Sequence, residues 1–153
     1  MEPAIKYVRT SDGVNVAYWT LGKGIPFVSL PPVPFSNVEA EWRDVEFRSW
    51  YERLAENRTL VRYDGRGMGL SDREPADFSI EAQTRDLEAV VEEVGAGACV
   101  LFASFFAGPI AIKYAVSRPE RVSHLILWHS FATASDYAES SQQGAFMALL
   151  EQD

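Results

Sequence analysis

The stretch RYDGRGMGLSD, residues 62–72, decides the fold of this sequence. Three glycines lie within five positions of it (GRGMG), and glycine enters tight turns without steric cost. The stretch begins in the last two residues of a short β-type run, Thr59–Tyr63, and precedes the clearest amphipathic helix of the chain, Ser79–Val94. A strand, a tight loop and a helix in this order predict one βα unit of a parallel sheet.

The rest of the chain continues this alternation of strands and helices. Near the start, the turn Ser11-Asp12-Gly13 separates two β-type runs and predicts a hairpin. The other predicted strands are Ile25–Leu30, Ala98–Phe102 and Val122–Trp128, and the other predicted helices are Trp42–Glu56 and Ala107–Ser117. The pattern predicts an α/β fold: a mostly parallel sheet with flanking helices, an antiparallel edge from the hairpin, and a sixth strand as the last.

Composition restricts the class of protein. The chain has 153 residues, 47% of them hydrophobic, and a net charge of −8. We expect a single domain over 1–153, with a core at about 1–137 and a terminal helix or the start of a cap at 138–153. The acidic balance disfavours nucleic acid as a partner. No apolar run reaches 18 residues and the start lacks a signal-peptide pattern, so we expect a cytoplasmic protein that does not span a membrane.

Taken together, these elements resemble the α/β-hydrolase fold family. The resemblance rests on the proline-rich loop after the third strand, the loop at 62–72, the helix segment DLEAVV at 86–91, and the segments AGPIA at 107–111 and SRPERV at 117–122. It runs in order from about residue 5 to 137. It implies a hydrolase, with carboxylic esters as the candidate substrates, and we expect no cofactor.

The catalytic serine of that family lies in the turn G-x-S-x-G, where a histidine takes its proton and an acid orients the histidine. The matching turn here is Ala103-Ser104-Phe105-Phe106-Ala107, so Phe105 holds the nucleophile position. A benzyl group cannot attack a carbonyl. Ser104 is the alternative nucleophile, if the turn slips by one residue or the hydroxyl is reached from a neighbouring loop. Otherwise Ser104 is a small, hydrogen-bonded residue of a packed turn.

Two histidines are available as a base. His124 precedes most of its predicted strand and therefore lies far from the turn. His129 follows the carboxyl end of the same strand, which is the edge where ligands bind in parallel α/β sheets. His129 is therefore a candidate general base or substrate hydrogen-bond partner, with a purely structural role as the alternative. The acid and histidine of the family usually follow a seventh and an eighth strand, beyond the elements predicted here.

The resemblance also implies an oxyanion hole and a pocket. The backbone N–H groups of Val33 and Phe106 match the two oxyanion donors, which bind a carbonyl or carboxylate oxygen. Phe35 and Phe131, with Phe105 and Phe106, lie on loops that would rim an apolar pocket, so we predict a small apolar or acyl ligand. No metal site is predicted, because the lone cysteine and the two histidines do not cluster with carboxylates.

Four charged residues of the glycine-rich stretch form a further cluster: Arg62, Asp64, Arg66 and Asp72. The resemblance suggests a structural role, in which the carboxylates accept hydrogen bonds from backbone N–H groups and pair with the arginines. A paired-carboxylate acid/base site is the alternative.

The last predicted strand, Val122–Trp128, is apolar and would leave an exposed sheet edge. We predict that this edge forms a homodimer through a two-fold contact, or that the tail around Phe146–Leu150 covers it. Three functions stay open at this stage. They are a serine-type ester hydrolase with a non-standard site, a catalytically inactive ligand-binding or regulatory module (alone or within a larger protein), and a structural protein that interacts through the sheet edge.

Overall fold

The computed structural model of the chain describes residues 2–133, together with 135, 136, 141, 144 and 148. Apart from residues 141, 144 and 148, the predicted tail helix lies outside this part of the chain. The strands are β1 (Lys6–Arg9), β2 (Asn15–Leu21), β3 (Ile25–Ser29), β4 (Arg58–Tyr63), β5 (Cys99–Phe105) and β6 (Val122–Ser130). The helices are α1 (Val38–Arg43), α2 (Val45–Ala55), α3 (Ile80–Glu93) and α4 (Gly108–Ser117), with a 3₁₀ turn at Pro119–Arg121.

The six strands form one sheet in the order β1-β2-β4-β3-β5-β6. β1 pairs antiparallel with β2, and β2 with β4, whereas β4, β3, β5 and β6 run parallel to one another. The predicted fold class, a mostly parallel sheet with an antiparallel hairpin at one edge, is confirmed. The carboxyl ends of the neighbouring strands β3, β5 and β6 therefore meet at the same edge of the sheet.

The helix predicted over Trp42–Glu56 is wrong as a single element. Two helices, α1 and α2, occupy this region, and they meet at Asp44. Asp44 has an extended backbone (ψ 128°), and its carboxylate accepts hydrogen bonds from the N–H groups of Glu46 at 2.8 Å and Phe47 at 3.1 Å. An aspartate at this position satisfies the unpaired donors of a helix start, so it begins a second helix although the apolar spacing continues across it.

Apolar side chains pack on both faces of the sheet. On one face, the cluster includes Leu87 of α3, Leu101 of β5 and Tyr114 of α4. On the other face, Trp19 of β2 packs edge-on against Trp42 at 5.9 Å and against Tyr51 at 5.2 Å. Both clusters are buried, so the sheet is covered on its two faces over β2 to β5.

The glycine-rich loop is held by one buried carboxylate, that of Asp64. Its Oδ1 accepts from the N–H of Val38 at 3.0 Å, and its Oδ2 accepts from the N–H of Leu70 at 2.9 Å. Gly69 has φ 49°, and a Cβ there would collide with the Asp64 carboxylate, so only glycine fits. Asp72 accepts from the N–H of Asn15 at 2.7 Å. Both carboxylates therefore accept hydrogen bonds from backbone N–H groups, as predicted.

The arginine partners differ from the prediction. Arg62 pairs with Glu41 at 2.7 Å, and Arg66 pairs with Asp86 at 2.8 Å and Asp12 at 2.9 Å. Within the part of the chain that the structure describes, neither Asp64 nor Asp72 forms an ion pair. The carboxylates of the loop are occupied by N–H donors, so the buried arginines take their counter-ions from other elements.

Candidate functional site

The turn after β5 is the centre of the candidate site. β5 is longer than predicted and ends at Phe105, whose φ is 51°. A bulky side chain rarely adopts this left-handed backbone conformation, and strained residues of this kind concentrate at functional turns. The N–H of Ala107 donates to the carbonyl of Ser104 at 3.0 Å and closes the turn, and α4 then begins at Gly108.

The neighbouring strand holds this turn in place. The hydroxyl of Ser130, the last residue of β6, donates to the carbonyl of Phe105 at 2.6 Å. A Cβ at Gly108 would overlap the Ser130 hydroxyl, so a glycine is needed for this close approach. Phe105 is therefore fixed from both sides, by the start of α4 and by the end of β6.

Ser104 and His129 lie at the ends of neighbouring strands but form no hydrogen bond with each other. The backbone of Ser104 pairs with that of Trp128, whereas Phe105 pairs with Ser130, so His129 is the extra residue of a bulge with φ 46°. Ser104 is 8% exposed and lines a cavity. Within the described residues its hydroxyl makes no hydrogen bond, whereas its backbone carbonyl accepts one from Ala107. His124 lies in β6 opposite Val100, well before the turn.

A cavity of about 1220 Å³ opens above this edge of the sheet. Its wall is rich in aromatic rings, which contact one another in a series. Trp50 lies 5.9 Å from Phe102, and Phe102 lies 6.4 Å from Trp128, measured between ring centroids. Phe105 and the exposed Phe35 complete this part of the lining. An apolar wall of this kind suits apolar ligands, because their binding removes both surfaces from water.

Three polar residues that line the large cavity, Glu41, Tyr51 and Arg62, are hydrogen-bonded to one another. Arg62 donates to Glu41 at 2.7 Å and to the Tyr51 hydroxyl at 3.2 Å, and that hydroxyl donates to Glu41 at 2.5 Å. Arg62 also donates to the carbonyls of Ser29 and Tyr63. Burial raises the pKa of Tyr51 above its ordinary value. The guanidinium is therefore neutralised and bonded, and it adds no uncompensated charge to the cavity.

The predicted pocket residues lie in two cavities rather than one. Phe35 lines the large cavity, whereas Phe131 lines a smaller one of about 300 Å³ beside α4. Val33 and Phe106, the two residues expected to supply oxyanion donors, line the smaller cavity, where the rings of Phe106 and Phe131 meet edge-on at 5.4 Å. The expectation of a single pocket is therefore wrong. The loop after β3 separates the two spaces, and its Pro34 lines both.

Sequence reasoning missed the residues that give the large cavity its character. Trp50 and Trp128 are not among the pocket residues predicted from the sequence, yet both line this cavity and 40% and 56% of their surfaces are exposed. The Glu41–Tyr51–Arg62 group was not predicted either. Its members come from α1, α2 and β4, so no local spacing connects them. Asp44, as the N-cap of a second helix, is the sequence signal that would have placed Glu41 and Tyr51 on two neighbouring helices.

The described residues contain neither a metal-binding cluster nor a membrane-spanning helix. Among residues 2–133, 135, 136, 141, 144 and 148, no group of three His, Cys, Asp or Glu side chains is placed to hold a metal ion. In the same part of the chain, no helix combines the length and hydropathy required to cross a bilayer.

The strand order, the glycine-rich loop and the strained turn before α4 define an α/β-hydrolase-like protein. The sequence matches the alpha/beta hydrolase fold family over residues 40–149, so the chain belongs to that family. It is 26% identical over 133 residues to the mitochondrial palmitoyl-protein thioesterase ABHD10 of Mus musculus, covering 87% of this chain and 43% of that protein. It is 28% identical over 116 residues to the soluble epoxide hydrolase of Corynebacterium sp. (strain C12), covering 76% and 38%.

A solved structure agrees with this assignment. The epoxide hydrolase CorEH superposes with a TM-score of 0.74 at 25% identity, covering 87% of this chain and 44% of that one. The chain thus spans less than half the length of these relatives. They are hydrolases of different substrates, so family membership leaves the substrate of this chain open.

Proposed function

We propose that this chain binds a small apolar or acyl ligand in the large cavity and does not hydrolyse it. The observation that carries the proposal is Phe105, a phenylalanine with φ 51° at the end of β5. The family resemblance assigns this turn position to the attacking residue, and a phenyl ring has no nucleophilic atom. The chain therefore has a cavity beside this turn but no nucleophile at the turn position that ester hydrolysis requires in this family.

The lining of the cavity supports an apolar ligand. Aromatic rings of Trp50, Phe102 and Trp128 form a connected wall, and Arg62 is already neutralised by Glu41. The mouse relative is named as a thioesterase for palmitoyl groups, which are long acyl chains. Palmitate is therefore a suitable probe for this chain. Location in the cytoplasm remains a prediction, and the name of the mouse relative places that protein in mitochondria.

The second candidate function is a serine-type ester hydrolase with a non-standard site. One observation favours it: Ser104 lines the cavity, and His129 lies next to the last residue of the neighbouring strand β6. In this case Ser104 would attack the ester carbonyl and His129 would accept its proton, after a movement that brings the two side chains together. The absence of an aligned pair in the described residues favours the binding function.

Two measurements on the same samples separate these functions. Hydrolysis of p-nitrophenyl butyrate is measured for wild type, Ser104→Ala and His129→Ala, and palmitate binding is measured by calorimetry. The binding function predicts wild-type hydrolysis at the level of buffer, with saturable palmitate binding in all three proteins. Wild-type turnover that disappears in both variants would instead establish the hydrolase. Absence of both binding and turnover would remove the ligand-binding proposal.

A further inference from the structure

Two serine side chains lie on neighbouring strands at the floor of the large cavity. Ser29 is the last residue of β3, and Ser104 is the next-to-last residue of β5, the strand beside it. Ser29 pairs with Phe102, and paired residues of parallel strands share a face of the sheet. Ser104 follows Phe102 by two positions, so its side chain projects from that face too. Both serines line the large cavity.

Both hydroxyls are buried, and neither has a hydrogen-bond partner among the described residues. Ser29 is 3% exposed and Ser104 is 8% exposed. In the described part of the chain, the hydrogen bonds of these serines are made by their backbone groups, as when Arg62 donates to the Ser29 carbonyl at 3.3 Å. Buried side-chain hydroxyls nearly always have a partner, so two adjacent exceptions in one cavity require an explanation.

The oxygens of these two hydroxyls are open to the cavity. Among the side chains that the structure describes, one polar atom is both enclosed by protein and without a partner, the Nε of Arg121 at the amino end of β6. The unpartnered oxygens of Ser29 and Ser104 are therefore not enclosed. Strand spacing and residue rise place their Cα atoms about 8 Å apart, so the head group of one ligand can contact both hydroxyls.

The charges around the cavity select an uncharged head group. Arg62, which pairs with Ser29 across the β3–β4 ladder, is neutralised by Glu41 at 2.7 Å. The other cation of the lining, Arg73, is exposed and directly follows the glycine-rich stretch. A carboxylate placed against Ser29 and Ser104 would therefore be buried without a counter-ion, which is strongly unfavourable. An alcohol or carbonyl oxygen is uncharged and can accept a hydrogen bond from each serine.

We propose that Ser29 and Ser104 together bind the uncharged oxygen head of an apolar ligand, a fatty alcohol or an acyl carbonyl. The head group supplies the hydrogen bonds that the two hydroxyls lack, and the alkyl chain packs along the rings of Trp50, Phe102 and Trp128. A fatty-acid anion instead enters with its chain first and keeps its carboxylate in water at the mouth. The assignment of the head group rests on the proposed ligand binding in the large cavity and adds the chemical class of the ligand.

Calorimetric titration with 1-decanol and with decanoate tests this assignment. The two probes have the same chain length and differ in the charge of the head group. Ser29→Ala and Ser104→Ala should each weaken the binding of 1-decanol about three- to tenfold, since each removes one hydrogen bond to the head group. Decanoate should bind both variants within about twofold of wild type, because its carboxylate does not reach the serines, and this binding shows that the variants are folded.

Ser49→Ala is the matched control for the two substitutions. Ser49 is an exposed serine of α2 outside the cavity lining, so its replacement should leave the affinity for both probes unchanged. Unchanged affinity for 1-decanol in Ser29→Ala and Ser104→Ala would overturn the assignment, because the hydroxyls would then bind only water. Equal weakening of 1-decanol and decanoate would also overturn it, since the change would then lie in the cavity and not in a hydrogen bond to the head group.

Palmitate separates the assignment of the head group from the proposed function. Wild type that binds palmitate and decanoate but not 1-decanol would overturn the assignment alone. Wild type that binds none of the three probes would overturn both.

Discussion

The ring of Phe105 is stacked on the imidazole of His129, with centroids 6.4 Å apart and planes 16° from parallel. Both residues have left-handed backbones, φ 51° and 46°, at the ends of neighbouring parallel strands. The two strand ends thus direct a hydrophobic ring and a candidate base toward each other. The imidazole meets the phenyl ring instead of the hydroxyl of Ser104, which accounts for the missing serine–histidine contact.

The strained backbone at Phe105 gives a prediction about stability. Phe105→Gly and Phe105→Ala lose the same ring contacts, but alanine keeps a Cβ in the left-handed region and glycine does not. We expect the glycine variant to be more stable than the alanine variant by about 1 kcal/mol, measured by urea unfolding.

The control for this comparison is Ala103, a buried residue of the same strand without a positive φ. Ala103→Gly should lower the free energy of unfolding by about 0.5–1 kcal/mol, which is the usual order of these two residues inside a strand. A Phe105→Ala variant more stable than Phe105→Gly would contradict the strain at the turn.

The aromatic wall gives a prediction about binding. Trp50→Ala removes a ring that lines the large cavity and contacts Phe102, so palmitate should bind about tenfold more weakly in calorimetric titrations. Phe78→Ala removes an exposed ring outside that cavity and should leave the dissociation constant unchanged. Equal affinities in the two variants would show that palmitate binds elsewhere.

The buried ion pair of Arg66 and Asp86 gives a second prediction about stability. Each side chain is only 1% exposed, and their closest contact is 2.8 Å. Asp86→Asn removes the fully buried counter-ion and leaves the Arg66 guanidinium paired with Asp12 alone. The free energy of unfolding should therefore fall by up to about 3–5 kcal/mol in urea titrations. Glu39→Gln breaks an exposed pair with Arg43 and should change stability far less. Similar losses in both variants would refute the buried pair's role.

The pH dependence of stability should contain a contribution from Asp12. Hydrogen bonds from Arg66 hold the pKa of Asp12 well below its ordinary value of 3.8. A carboxyl group with a lowered folded-state pKa stabilises the fold above its unfolded pKa, and this contribution is lost as the pH falls below about 3.8. Burial raises the pKa of Asp86, so that group acts in the opposite sense.

The measurement compares urea unfolding of wild type and Asp12→Asn from neutral pH down to the acid range. The difference in stability between the two proteins should be constant at neutral pH and shrink below about pH 4. Glu52 is an exposed carboxylate with no ion pair among the described residues, so Glu52→Gln is the control. The difference in unfolding free energy between this variant and wild type should stay constant across the same pH range. A gap between wild type and Asp12→Asn that stays constant into the acid range would contradict this assignment.

The sequence by itself was sufficient for the order of strands and helices and for the parallel class of the sheet. Those features follow from local chemistry: the apolar runs that become β3, β5 and β6, and the spacing of apolar residues in α3. The family resemblance placed Phe105 in the turn before α4, whereas the strand predicted from apolar residues alone ended three residues too early, at Phe102. The break between α1 and α2 had a local signal too, the capping residue Asp44, which the continuing apolar spacing concealed.

Only the tertiary structure decided which residues from distant parts of the chain contact one another. Arg66 pairs with Asp12 and Asp86, which are 54 and 20 positions away in the chain. The stacking of Phe105 on His129, and the separation of Phe35 and Phe131 into two cavities, likewise depend on how loops from different strands meet. Hydrophobic periodicity determines which face of each element is buried, but side-chain pairing between distant segments depends on distances that exist only after the chain has folded.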